Sequence, residues 1–123
     1  MADRIVAAAS GMAAALYVMA ATVAWFRVIL PTPSNSFAKR VMLDRAVAWS
    51  AMAAMFIVVV AVKLSVADWA DAGVDVVLTL ASLAIFVAGL VSVRAITMAA
   101  FGNRVLAVFA VVSIAVGLAI LLA

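Results

Sequence analysis

The chain has no cysteine and no histidine among its 123 residues, and only 11% of them are charged. The first two absences exclude disulfides, thiol chemistry, the usual zinc sites and bis-histidine haem, so no cofactor is expected. They also remove nucleophile–base pairs built on Cys or His. The acidic set is five aspartates, Asp3, Asp44, Asp68, Asp71 and Asp75. An independent enzyme is therefore not expected. There is no Gly-rich phosphate loop and no cluster of metal-ligating residues. Basic residues at the ends of apolar runs are the wrong distribution for nucleic acid, so no nucleic-acid partner is expected either.

What remains is hydrocarbon. Hydrophobic residues make up 72% of the chain, against roughly half in a soluble domain, where about a quarter is charged. That much apolar surface cannot be hidden from water, so the expected solvent is a lipid bilayer. The fold class that follows is an all-α integral membrane protein, one polytopic domain over residues 1–123.

The charges divide the chain into four apolar runs of about the length that crosses a bilayer, near 20 residues. These are residues 5–26, 46–62, 76–93 and 105–123. Four transmembrane helices are predicted, over about 5–29, 44–65, 75–94 and 104–123. The second run is short, and Lys63 can lengthen it by snorkelling. The first run has the charged start of a signal peptide. Its apolar region is too long for one and Arg27 follows directly, so retention is expected.

Pro31 and Pro33 end the first helix, since proline cannot donate the next backbone bond. Residues 35–39 read as a mostly polar loop and residues 68–73, DWADAG, as a turn. Residues 95–101 read as a stretch lying in the interface or extending the third helix, and Gly102-Asn103 as a turn.

Orientation follows from the loops. The first carries Arg27, Lys39, Arg40 and Arg45, and the third Arg94 and Arg104. The opposite side has only Arg4 and Lys63, alongside Asp3, Asp68, Asp71 and Asp75. Basic loops stay in the cytoplasm, so both termini are expected outside, in a bacterial inner membrane. Trp25 and Trp49 then fall near the inner interface and Trp69 near the outer one.

Three charged residues could carry chemistry. Asp75 opens the third helix. It is either a cap on free backbone N–H groups or an ion or proton carrier, since intramembrane carboxylates are costly. Asp44 is a cap or local ion pair with Arg45, or else a surface relay or docking point. Lys63 either snorkels or pairs with a buried carboxylate. Small residues form a fourth feature: Ala7, Gly11 and Ala15 are spaced by four, which lets helices approach closely. Gly89 and Gly117 punctuate later helices.

Two stretches resemble a known family. Arg27-Val28-Ile29-Leu30 followed by Pro33-Ser34 is similar to an R-V-x-L-G-P-S pattern. Asp44-Arg45-Ala46-Val47-Ala48 is similar to D-R-V-x-A-L-D. Residues 74–81, VDVVLTLA, then Phe86 and Gly89, are similar to L-D-V-A-L-x-L-A-L-L-x-F-x-G, with Arg94 closing the segment. The family is the F subunit of the multisubunit, Mrp-type monovalent cation/proton antiporters. Over residues 27–94 the resemblance implies an accessory membrane subunit beside antiporter-like large subunits, contributing to sodium or proton transport and to assembly. It also implies Asp44 and Asp75 as stations on an ion path, with Thr79 and Ser50 beside them in the matching motifs.

The departures are specific. The glycine before proline is missing, the first loop is longer, and the family's second motif aspartate is Ser50 here. The family normally stops after three helices, so the fourth is extra. Two other readings are open on the residues alone: a holin-like homo-oligomeric pore former, and a purely structural subunit of another membrane complex.

Overall fold

The structure is a computed structural model that describes residues 2–29, 36–65, 72–101 and 103–123. Those residues form four α-helices: α1, Ala2–Ile29; α2, Ser36–Ser65; α3, Ala72–Phe101; and α4, Asn103–Leu122. All four are long and apolar enough to cross a membrane. Pro31, Pro33, Asn35 and residues 68–71 of the turn expected at 68–73 lie outside the described residues.

The helices overrun the hydrocarbon-length segments. α2 was expected to start at residue 44 and starts at Ser36, so the polar loop expected at residues 35–39 is helical from residue 36. Likewise α3 starts at Ala72 rather than 75 and runs through residues 95–101, which extend it. The physical reason is that a run of charges marks where apolar solvent ends, not where a helix must end. Lys39, Arg40 and Asp44 suit a solvated helix, and Arg40 and Asp44 carry opposite signs four residues apart, on one helical face.

α1 is the hub. It packs against α2, α3 and α4, while α3 and α4 also touch each other. Among the described residues the backbone of α2 comes close to α1 alone. Within its membrane-length window α1 is 67% buried, against 22%, 22% and 17% for α2, α3 and α4. It is also the least apolar of the four spans. Hydrophobicity therefore does not decide which helix is central. In lipid, apolar side chains gain little by leaving their surroundings, and close packing of small side chains decides instead. α1 is surfaced with alanine: Ala7, Ala13, Ala20 and Ala24 are at most 1% exposed. Alanine also favours the helix itself.

The outer helices meet α1 through stripes at heptad-like spacing. On α2 the buried positions are Ala46, Trp49, Ala53, Phe56 and Lys63. On α3 they are Asp75, Ser82, Phe86, Gly89 and Val93. On α4 they are Phe109, Ser113 and Gly117. Steps of three and four keep one face toward a neighbour, as in coiled coils.

Polar ties cross the seams. Tyr17 donates to the Ile85 carbonyl of α3 at 2.9 Å and stacks on Phe56 of α2 with ring centroids 6.3 Å apart. The Ser10 and Ser82 hydroxyls hydrogen-bond at 3.2 Å between α1 and α3. Trp25 Nε1 donates to Ser50 Oγ at 2.9 Å between α1 and α2.

At Gly89, α3 packs tightly against the hub. A Cβ there would stand 2.9 Å from Leu16 Cδ2 and from both Cζ and the hydroxyl of Tyr17. Tyr17 cannot withdraw without breaking its bond to Ile85. Gly89→Val should therefore destabilise the bundle by about 1–3 kcal/mol through overpacking. Ala88→Val, at an exposed neighbouring position, should stay within about 0.5 kcal/mol. Thermal unfolding of the two variants in detergent measures the contrast.

Candidate functional site

Lys63 and Asp75 meet at one end of the bundle. Lys63 stands in the last turn of α2 and Asp75 in the first turn of α3. The inward stripes of both helices carry these two charges to the interior. The Lys63 side chain is 0% exposed and that of Asp75 11%. Lys63 Nζ donates to Asp75 Oδ1 in a buried ion pair. Of the two open readings of Lys63, the structure has the buried carboxylate partner rather than a snorkelled ammonium.

Helix direction reinforces the pair. A helix carries partial positive charge at its N-terminus and partial negative charge at its C-terminus. The ammonium lies at the C-terminal end of α2 and the carboxylate at the N-terminal end of α3, so each charge faces the helix end that favours it. α3 begins at Ala72, which places Asp75 inside the first turn rather than at the capping position. The side chain is committed to Lys63. Thr79 donates its hydroxyl to the Asp75 backbone carbonyl at 2.8 Å, not to the carboxylate.

The other expected positions divide between the two ends. Asp44 is exposed on α2, and from residue 44 to residue 63 that helix rises about 28 Å. Ser50 accepts from Trp25. Arg40, Arg45 and Arg94 are exposed, while Arg27 and Lys39 belong to α1 and α2. The structure thus brings together Asp75 and Thr79, adds Lys63, and leaves Asp44 and Ser50 apart from them.

Between the ends lie polar side chains that the motif reading missed: Ser10 with Ser82, then Tyr17. Ser82 follows Asp75 by seven residues and Tyr17 follows Ser10 by seven, so successive rungs are about 10 Å apart. Proton transfer needs hydrogen-bond distances. The rungs act as ties between helices and do not form a continuous relay among the described residues. A signal for them existed, since the heptad register of α3 runs through 75, 82 and 89. Among the described residues no group of three or more His, Cys, Asp or Glu could hold a metal.

Comparison with protein-family models, with curated proteins and with solved structures finds no match to this chain.

Burying two charges costs several kcal/mol per ion, recovered when both are well paired. Lys63→Met strips the carboxylate of its ammonium and should cost about 3–5 kcal/mol. The double variant Lys63→Met with Asp75→Leu should recover most of that loss. Unfolding midpoints of the single and double variants in one detergent give the coupling directly. Additive losses would show that the two side chains act independently.

Proposed function

We propose that this chain is a four-span, non-catalytic membrane subunit of a cation/proton antiporter-type assembly in the bacterial inner membrane. Its termini lie outside and its α1–α2 and α3–α4 links inside. It contributes to ion translocation and assembly beside larger membrane subunits.

The observation that carries this reading is the buried Lys63–Asp75 pair. Ionisable groups within membrane spans are expensive, pair with one another and mark ion or proton pathways. Asp75 belongs to the stretch that resembles the third-helix motif of the antiporter F subunit. Its carboxylate keeps an exposed edge while Lys63 is enclosed, so the edge is available to a neighbouring subunit or to water. The wide spacing of the interior rungs supports an accessory role, because a continuous path then needs groups from outside this chain. The outer faces of α2 and α3, with Val58, Val77, Leu80 and Val91 all more than half exposed, suit lipid or partner helices. The homo-oligomeric pore reading rests on the alanine-rich helices of a small, basic, multi-span chain. Much of the alanine of α1 is used inside the chain, since Ala7, Ala13, Ala20 and Ala24 are at most 1% exposed, which leaves that reading with less to stand on.

Purification from native membranes in mild detergent should recover large antiporter-like subunits with this chain. Recovery of the chain with no large membrane protein would sink the proposal. In vesicles holding the intact assembly, Asp75→Asn should lower cation-driven proton movement severalfold without releasing the subunit. Topology has its own check, on a natural background free of cysteine. Ser65→Cys should react with an impermeant maleimide in intact cells, and Ser36→Cys only in inverted vesicles.

A further inference from the structure

We propose that the groove between α2 and α4 is a binding site for one anionic phospholipid. Because α2 packs closely on α1 alone, the hub is left partly uncovered between α2 and α4. Gly11, Ala14, Ala15 and Val18 of α1 form the floor of an apolar groove of about 410 Å³. Ile57, Val60 and Ala61 form one wall, and Val116 and Ile120 the other. The same Val116 and Ile120 border a second hollow of about 380 Å³ toward the helix ends, closed by Arg4, Leu64 and Ala123. The two hollows make one track along α1.

The charge pattern of this track selects the occupant. Among the described residues its deep part has only apolar side chains, and Arg4 is the one charged side chain lining either hollow. Arg4 is exposed, and it sits at the end of the bundle where a headgroup would lie. From residue 4 to residue 18 the helix rises about 21 Å. Half the hydrocarbon thickness is about 15 Å, so the track spans one leaflet. A phosphate on the Arg4 guanidinium and an acyl chain against the alanine floor match both features. A partner helix would match the floor but not the cation at the mouth. The proposal rests on the membrane-spanning reading of the chain and not on its assignment to an antiporter assembly.

The test uses the full chain purified in neutral detergent and titrated with phosphatidylglycerol or phosphatidylcholine of the same acyl length, with bound lipid counted by native mass spectrometry. One phosphatidylglycerol should be retained, with about fivefold preference over phosphatidylcholine, the contribution of one basic residue near a membrane surface. Arg4→Gln should abolish the preference. Ala61→Trp fills the groove from an exposed position on α2 and should reduce retention of both lipids. Equal retention of the two lipids by the unmodified chain overturns the proposal. So does undiminished retention by Ala61→Trp, or efficient disulfide formation between two copies of Ala61→Cys, which would put protein in the groove. Arg4→Gln alters only an exposed side chain, so its result stands even if Ala61→Trp fails to fold. Alkaline extraction of membranes separates the two levels: release of the chain into the supernatant defeats the membrane reading itself.

Discussion

Helices surrounded by hydrocarbon have little to gain from apolar contact as such, and what holds this bundle together is how closely backbones can approach. α1 meets that constraint with alanine and serine on nearly every side. Much of the bulk in the core comes from its neighbours, Trp49 and Phe56 of α2, Phe86 of α3 and Phe109 of α4, with Leu16 and Tyr17 the large buried groups of α1 itself. The outer helices could not exchange places with it, because their bulky, branched side chains already point outward. The glycines act at the contacts that alanine cannot accommodate: Gly89 beneath Tyr17, Gly117 over Ala8 and Met12, and Gly11 under Ile120. Every polar tie in the interior depends on this proximity, since a hydroxyl reaches a neighbouring helix only when the backbones are near.

The Lys63–Asp75 pair follows from a different rule. α2 does not lean on α3, so the two charged side chains bridge a gap that the backbones leave open. Stability alone does not explain them, since a pair of apolar residues of similar volume often serves as well. They hold a charge at the bundle edge with one partner enclosed and the other 11% exposed, and under the proposed function that exposed edge answers to a neighbouring subunit. Arg4 at the mouth of the α2–α4 groove is a second charge at the same end of the bundle. Both arise because α2 is attached to the rest of the bundle mainly through α1.

Much of this was legible beforehand. The intervals between charges located four helices, because in a bilayer an uncharged run of that length has few alternatives. Their ends were less legible. Residues 36–43 and 95–101 are helical outside the expected spans, because a helix satisfies its own backbone in water as readily as in lipid. The resemblance drew attention to Asp44, Ser50, Asp75 and Thr79, of which Asp75 and Ser50 are engaged through their side chains with distant residues, Lys63 and Trp25. Lys63 was weighed as a snorkelling residue, although the step from Ala46 through Trp49, Ala53 and Phe56 already pointed it inward. What hydropathy could not indicate was which helix would be central. That depends on side-chain size rather than on hydrophobicity, and the alanine content of α1 carried the answer without the usual signal of an apolar face.

The position of Lys63 in the last turn of α2 also bears on how the chain is made. Lys63 precedes Asp75 by 12 residues, so at roughly 5–20 residues per second it is made and delivered about 0.6–2.4 seconds ahead of its partner. During that interval an ammonium deep in the span would be stranded. Near the end of its helix it can reach the headgroups along its own aliphatic stem. In a bilayer, snorkelling and burial would then be successive stages for the same lysine, and a location in the last turn of its helix makes both tolerable.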